Sequence, residues 1–272
     1  MATYLDDLLV GAHARVERAR AAEPLEALRE RASGAPTPPS FRRALEQPGV
    51  QVIAEVKRAS PSKGDLAPEL VAPVQARAYV DGGAAAVSVL TEPDRFRGSL
   101  ADLADVAALG VPALRKDFLV DPYQVWEARA AGASAVLLIV AALDEAMLST
   151  LLAEAAAAGL DVLTEIHDDA EAAIAARAGA TIIGVNARDL RTFELDRDGF
   201  ARLRPALGDG AIAVSESGVR DADDVRRAAA DGADAVLVGE TLVRAADPAA
   251  AVAELVAAGT GARTDRTTSE RP

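Results

Sequence analysis

Short apolar runs alternate with longer Ala- and charge-rich segments along most of this chain. Eight runs rich in Val and Ile begin near Val50, Ala85, Val111, Ser134, Leu160, Thr181, Ala211 and Asp234. Their spacing averages about 26 residues, which leaves room for one helix between successive strands. Several of the intervening segments, such as DADDVRRAAADGA, end in a Gly-Ala pair. Glycine commonly terminates a helix, so the pattern predicts eight strand–helix units.

Eight such units in a chain of 272 residues favour an α/β fold of the (β/α)8 TIM-barrel class, which typically needs ~250 residues. The alternative is a doubly wound parallel sheet, but no G-x-G-x-x-G motif follows the first strand. We assign residues 48–258 to the barrel. The segment from 259 to 272 has almost nothing apolar to bury and is predicted to be a disordered tail.

Residues 1–47 are predicted to form a helical extension that packs on the barrel. A first helix carries one apolar stripe among charges and ends near Pro24. The stripe consists of Leu5, Leu8, Leu9 and Val16. The run SGAPTPPS, from Ser33, has the composition of a loop, and a short helix is expected from Phe41.

Composition excludes several kinds of function. With 29 basic and 42 acidic residues, the formal charge is −13, which disfavours binding to nucleic acid or to anionic membranes. The chain has no cysteine and two histidines, so thiolate catalysis, cysteine-based metal sites and a three-histidine metal site are excluded. The start MATYLDDLLV does not resemble a signal peptide, and no run is long enough to span a membrane. We expect a cytoplasmic protein.

The rare residue types carry the most information. Only three of the 29 basic residues are lysines, namely Lys57, Lys63 and Lys116, and the chain has a single asparagine, Asn186. Arginine does not release a proton in proteins, whereas lysine can act as an acid or base. The alternative is chance, because three is a small sample.

Catalytic groups of a (β/α)8 barrel lie at the carboxyl ends of its strands. Alternation along the first strand puts Glu55 and Lys57 on one face, either as a functional pair or as a structural ion pair. The third strand ends with Lys116 and Phe118 on one face, where burial would lower the pKa of the lysine. Glu165 ends the fifth strand as a candidate base. His167 follows it and more often caps or decorates the next helix.

Other candidates lie at or after the remaining strand ends: Ser60, Phe96, Asn186, Arg188, Glu216, Ser217, Gly218, Gly239 and Glu240. Phe96 covers a planar ligand or simply packs under its loop. Glycines after strands seven and eight match the usual phosphate site of these barrels. All three lysines, the asparagine and three glutamates share one rim, which indicates a small anionic substrate.

These residues also carry a resemblance. The runs IAEVKRASPSKG, SVLTEPDRFRGSL, LRKDFLVDPYQVWEARAAGA, LTEIHD, IGVNARDL, SESGV and VGETLV occur in that order between about Val50 and Leu242. Together they resemble the indole-3-glycerol phosphate synthase family in its monofunctional form, and the helical extension is similar too. The resemblance implies ring closure of 1-(2-carboxyphenylamino)-1-deoxyribulose 5-phosphate with loss of CO2 and water. It implies no cofactor and no metal, and leaves other enzymes of tryptophan biosynthesis as candidate partners.

The resemblance also implies roles for individual residues. Lys116 matches the general acid of ring closure, and Glu165 matches the general base of dehydration. Lys57 matches a lysine that binds the anionic groups of the substrate. The other matches are orienting or polar contacts at Glu55, Asn186, Glu216 and Ser217, a ring pocket at Phe96 and Phe118, and carboxylate or phosphate positions at Ser60, Arg188, Gly218 and Gly239. Where family members often have a small hydroxyl residue, this chain has Glu240, which leaves only its backbone N–H to serve.

Two alternatives stay open. The first is another phosphosugar barrel, such as the isomerase that precedes this step or the tryptophan synthase α subunit. The second is a barrel that only binds a sugar phosphate as a regulator or scaffold. A binding barrel needs the phosphate glycines, but not Lys57, Lys116 and Glu165 together.

Overall fold

Eight parallel strands close into one barrel, and each strand pairs with its neighbours in chain order. The computed structural model describes residues 4–189 and 193–267, with side chains described as far as Gly261. The barrel strands are β1 (Gln51–Val56), β2 (Ala86–Leu90), β3 (Ala113–Lys116), β4 (Ala135–Ile139), β5 (Asp161–Ile166), β6 (Ile182–Asn186), β7 (Ile212–Glu216) and β8 (Ala235–Val238). The predicted (β/α)8 class is confirmed.

Helices precede the barrel and alternate with its strands. They are α1 (Tyr4–Ala22), α2 (Leu25–Gly34), α3 (Phe41–Leu45), α4 (Ala72–Asp81), α5 (Leu100–Ala107), α6 (Pro122–Ala130), α7 (Glu145–Ala158), α8 (Asp169–Arg177), α9 (Gly199–Leu203), α10 (Ala222–Ala230), α11 (Glu240–Val243) and α12 (Pro248–Thr267). A short hairpin, Ala59–Ser60 with Gly64–Asp65, lies between β1 and α4. No helix in the described part of the chain is long and apolar enough to cross a membrane.

Strand positions and facing follow the hydrophobic pattern closely. Each strand begins one residue after its predicted start, except β3, which begins two residues later. Ile53 belongs to the apolar cluster inside the barrel. Its neighbours Val52 and Ala54 belong to the cluster between the strands and the helices. Period-two alternation therefore directs Glu55 and Lys57 toward the interior, as the sequence predicts.

The extension wraps the barrel from one end to the other. Helix α1 crosses the carboxyl ends of the strands, where the guanidinium of Arg15 donates to the Asp117 carboxylate at 3.1 Å. Helix α2 packs on α6 through Leu28, which is fully buried. Helix α3 lies under the amino ends, since the Arg42 N–H donates to the carboxylate of Asp161 at the start of β5 (2.9 Å).

Two local features differ from the sequence prediction. Helix α2 was not predicted, because Pro24 is expected to end the first helix. In the structure Pro24 is the N-cap of α2. Helix α12 runs to Thr267, past Gly259, where the predicted disordered tail begins. At Gly259 a Cβ would lie 2.3 Å from the Val50 carbonyl, so glycine lets the helix approach the start of β1. The last predicted tail residues, 268–272, lie outside the described residues, as do residues 1–3 of the predicted extension and Leu190 of the IGVNARDL motif.

Candidate active site

A cavity of about 460 Å³ opens at the carboxyl ends of the barrel strands. Of the fourteen predicted site residues, only Glu216 does not line it, because it is buried beneath the cavity floor. The lining members are Glu55, Lys57, Ser60, Phe96, Lys116, Phe118, Glu165, Asn186, Arg188, Ser217, Gly218, Gly239 and Glu240. The residues predicted at the strand ends therefore lie together around one cavity.

The ammonium of Lys116 lies among three carboxylates at the floor of the cavity. Its Nζ is 2.9 Å from Oε2 of Glu216, 3.7 Å from Oε2 of Glu165 and 3.8 Å from Oε2 of Glu55. These four residues belong to β3, β7, β5 and β1. In a (β/α)8 barrel the side chains of alternate strands share one layer. A single layer of the barrel interior is thus made of one lysine and three glutamates.

This surrounding charge reverses the predicted pKa shift of Lys116. Burial alone lowers the pKa of its ammonium, as the sequence suggests. The carboxylates of Glu216, Glu165 and Glu55 outweigh burial and raise that pKa above its ordinary value. The prediction of a lowered pKa is therefore wrong, because it took account of burial and an aromatic neighbour and not of the three acids. Lys116 is a firmly protonated donor.

Glu216 carries the opposite perturbation. Burial, with the neighbouring Glu165 and Glu55, raises the pKa of its carboxyl to about 7, although Lys116 lowers it. Its Oε1 is buried and has no hydrogen-bond partner among the described residues. A buried carboxylate lacking such partners is costly. Glu216 is therefore able to hold a proton near neutral pH.

Two glycines leave the space that these acids need. A Cβ on Gly184, the residue that pairs with Glu165 across β5 and β6, would lie 1.9 Å from Oε1 of Glu216. A Cβ on Gly239 would lie 2.4 Å from Oε1 of Glu55 and 2.9 Å from Nζ of Lys57. Gly239 thus makes room for a charged pair as well as following β8.

The Glu55–Lys57 pair is the second polar contact of the floor. Nζ of Lys57 donates to Oε1 of Glu55 at 2.5 Å. Burial raises the pKa of Glu55, but the ammonium groups of Lys57 and Lys116 lower it more, so the pKa lies below its ordinary value. Glu55 is therefore a carboxylate held between two lysines.

Asn186 organises the loops that follow β6 and β7. Its Oδ1 accepts from the hydroxyl of Ser217 at 2.8 Å and from the N–H of Arg188 at 3.0 Å. Ser217 has φ 66°, an unusual value for a residue with a side chain. Gly218 follows with φ 85°. The hydrogen bond to Asn186 holds this turn toward the cavity.

The opposite wall of the cavity is aromatic. The rings of Phe96 and Phe118 lie 6.3 Å apart in a tilted arrangement. Tyr4 of α1 and Phe193 also line the cavity, with their rings edge to face at 5.1 Å. Tyr4 and Phe193 were missed from the sequence. The apolar stripe of α1 does not say which end of the barrel Tyr4 covers, and Phe193 lies in the loop after β6, outside any periodic pattern.

Charge at the cavity differs from that of the chain as a whole. Among the described residues, seven basic and four acidic residues line it, although the chain carries −13. The basic ones are Lys57, Lys63, Lys116, Arg188, Arg197, Arg220 and Arg244. The carboxylate of Glu240 is paired with Arg244, whose Nε lies 3.4 Å from Oε1. An excess of positive charge in a cleft concentrates anionic ligands.

No cluster of three or more His, Cys, Asp or Glu suited to a metal ion occurs within residues 4–189 and 193–267. The fold and the cavity define a (β/α)8 barrel whose strand ends carry a lysine–glutamate centre beside a basic mouth.

The family follows from comparison with known proteins. The family model for indole-3-glycerol phosphate synthase matches residues 5–255. The indole-3-glycerol phosphate synthase of Mycobacterium ulcerans is 54% identical over 260 residues, covering 95% of this chain and 96% of that protein. The one from Mycolicibacterium smegmatis is 53% identical over 261 residues, with coverage of 95% and 96%. The chain belongs to the indole-3-glycerol phosphate synthase family, and it is a carboxy-lyase of tryptophan biosynthesis.

Solved structures support the fold alone. The 3-hexulose-6-phosphate synthase of Salmonella typhimurium aligns with a TM-score of 0.63 at 18% identity, covering 78% of this chain and all (100%) of that one. Thiamine phosphate pyrophosphorylase from Pyrococcus furiosus aligns with a TM-score of 0.62 at 18% identity, covering 82% and 99%.

The raised pKa of Glu216 predicts a titration visible by NMR. With glutamate labelled at Cδ, one carboxyl carbon is expected to titrate near pH 7, and Glu216→Gln removes that signal. Because the Lys116 ammonium lowers this pKa, Lys116→Met shifts the titration to higher pH. Glu26→Gln, at an exposed position on α2, serves as the control. Persistence of the signal in Glu216→Gln contradicts the assignment.

Gly184→Ala is expected to displace the Glu216 carboxylate and, with it, Lys116. Misplacement by about 1 Å can reduce turnover ~100-fold, so we expect kcat to fall at least about tenfold in the lyase assay. The matched control is Gly210→Ala, because nothing lies within 4 Å of a Cβ there. Equal kcat values for the two variants would show that the position of Glu216 does not matter for turnover.

Proposed function

We propose that this chain converts 1-(2-carboxyphenylamino)-1-deoxyribulose 5-phosphate to indole-3-glycerol phosphate with the residues of the cavity floor. The observation that carries the proposal is the Lys116 ammonium, held within 4 Å of three carboxylates. The ring carbon that bears the carboxylate attacks the ketone carbon, CO2 leaves, and water is then lost. Each stage requires a proton to be delivered or removed at a defined place.

Lys116 is the general acid of ring closure in this proposal. Attack on the ketone builds negative charge on its oxygen, and a nearby ammonium both stabilises that charge and supplies the proton. A raised pKa suits this role, because an alkoxide is a far stronger base than an amine. Glu55 and Glu216 keep the lysine charged and pointed into the cavity.

Glu165 is the general base of dehydration. It removes the ring proton as the hydroxyl leaves, and Lys57 serves as the acid that protonates the departing oxygen. Since Oε2 of Glu165 is 3.7 Å from Nζ of Lys116, the proton it collects has a short path back to the lysine. Lys116 and Glu165 thereby regain their starting states after each turnover. Lys57 takes its proton back from solvent, which supplies the one proton that loss of CO2 from a carboxylate consumes overall.

Binding is assigned to the rim. The aromatic ring of the substrate packs against Phe96 and Phe118. The carboxylate and phosphate are held by Lys57, Arg188, the hydroxyls of Ser60 and Ser217, and backbone N–H groups at Gly218, Gly239 and Glu240. Arg244 offsets the negative charge that Glu240 brings to this end. Asn186 orients the bound substrate through its contacts with the two loops.

Three further expectations accompany this proposal. The domain division is an extension over 1–47 and a barrel over 48–258. The phosphosugar substrate is free in the cytoplasm, where we expect the enzyme to work. Other enzymes of tryptophan biosynthesis stay candidate partners.

The function and its acid–base assignments are tested by indole fluorescence of purified protein given the carboxyphenylamino substrate in EDTA. Lys116→Arg is expected to lose nearly all turnover while it still binds substrate, because a guanidinium does not give up its proton. Glu165→Gln is expected to lower kcat strongly and to accumulate an intermediate before water loss. General acid or base groups typically contribute ~100- to 10,000-fold.

The outcomes separate the alternatives. A kcat for Lys116→Arg within about tenfold of the unsubstituted enzyme, roughly 1.4 kcal/mol in barrier, overturns the general acid. Normal steady-state kinetics for Glu165→Gln removes that residue from the mechanism. Saturable binding without any fluorescent product points instead to a barrel that only binds sugar phosphates, or to a different phosphosugar substrate.

A further inference from the structure

The base proposed for dehydration has a neighbour with no assigned role. Nε2 of His167 lies 3.5 Å from Oε1 of Glu165. Both atoms are buried, and neither has a hydrogen-bond partner among the described residues. The side chain of Glu165 is 2% exposed, and its Oε2 is the oxygen that lies toward Lys116. The histidine therefore faces the oxygen of the base that Lys116 does not approach.

Glu171 fixes which nitrogen of His167 faces the base. Its Oε2 is 3.1 Å from Nδ1 of His167 and accepts from the backbone N–H of the same residue at 2.8 Å. A carboxylate only accepts, so Nδ1 carries a proton and Nε2 is left for Glu165. Glu171 is itself held, because its N–H donates to the Asp168 carboxylate at the start of α8 (2.8 Å).

The charged side chains nearest His167 are all acidic. Glu165 of β5, Glu171 and Asp168 at the start of α8, and Glu216 of β7 surround it, and Lys116 lies beyond Glu165. Burial lowers the pKa of His167, but Glu171, Glu165 and Glu216 raise it above its ordinary value. An imidazolium is thus favoured, with a second proton on Nε2.

We propose that His167 is a positioning residue for Glu165, oriented by Glu171 so that its Nε2–H faces the buried Oε1 of the base at 3.5 Å. The inference rests on the proposed role of Glu165 in dehydration. This contact fixes the carboxylate plane and keeps Oε2 free for the substrate proton. No proton leaves His167 in this scheme. Glu165 takes the substrate proton on Oε2.

A purely structural role in capping α8 makes different predictions, and two substitutions separate them. The amide nitrogen of Asn replaces Nδ1, so His167→Asn keeps the donor to Glu171 and loses the donor to Glu165. The amide nitrogen of Gln replaces Nε2, so His167→Gln does the reverse. His13→Gln is the matched control, because His13 is the other histidine of the chain and is exposed on α1.

Positioning predicts that His167→Asn lowers kcat by at least about tenfold with KM and Tm little changed, and that His167→Gln recovers part of kcat. A capping role instead leaves the kcat of His167→Asn unchanged and lowers the Tm of His167→Gln. That result would overturn the proposal.

Imidazole ¹⁵N NMR gives a readout independent of turnover, since the chain has only two histidines and His13→Gln assigns their signals. We expect both nitrogens of His167 to be protonated at neutral pH and its pKa to fall in Glu171→Gln. An unprotonated Nε2 at the pH of highest kcat contradicts the proposal. Absence of turnover in the unsubstituted protein would overturn the proposed function itself, whereas turnover with an unaffected His167→Asn overturns only the positioning.

Discussion

The site depends on one arrangement, an ammonium buried among three carboxylates. Removing a lysine and three acids from water is expensive, and a buried charge is tolerated only when it is closely paired. Here Lys116 meets Glu216 at 2.9 Å and two further acids within 4 Å. Three acids around one lysine leave an excess of negative charge. Lys57 offsets part of it at Glu55, and the raised pKa of Glu216 favours the neutral form of that carboxyl. The net charge of the layer therefore depends on the protonation state of its members.

The barrel makes this layer possible because alternate strands place their side chains at the same height. Four consecutive odd strands supply Glu55, Lys116, Glu165 and Glu216, although Glu55 and Glu216 are far apart in the chain. The even strands must then leave room. Gly184 on β6 and Gly239 after β8 do so, since a Cβ at either would collide with a carboxylate oxygen. The site therefore depends on glycine at these two positions as well as on its charged side chains.

The features that depend on local periodicity are predictable from the sequence. The spacing of apolar runs predicts the eight strands, and alternation within them predicts that Lys57, Lys116 and Glu165 reach one rim. Features that depend on contacts between distant segments could not be predicted in this way. The sign of the Lys116 pKa shift requires knowing that three acids converge on it, which no single strand shows. Helix α2 was missed because Pro24 starts a helix as readily as it ends one.

The helical extension contacts the residue that follows the reacting lysine in the chain. Arg15 of α1 donates to Asp117, the residue directly after Lys116, and lies 3.5 Å from Glu92 in the neighbouring loop. Asp117 also accepts from the hydroxyl of Thr91 at 2.7 Å, so both of its carboxylate oxygens are held by hydrogen bonds. Because successive residues at a strand end point in opposite directions, fixing Asp117 outside the barrel fixes the direction of Lys116 inside it. The same helix carries Tyr4 to the cavity, where its ring packs against Phe193. Displacing α1 would therefore disturb both the acid and the aromatic lining of the cavity, even though the described part of the extension, from Tyr4 onward, contributes no charged group to the floor.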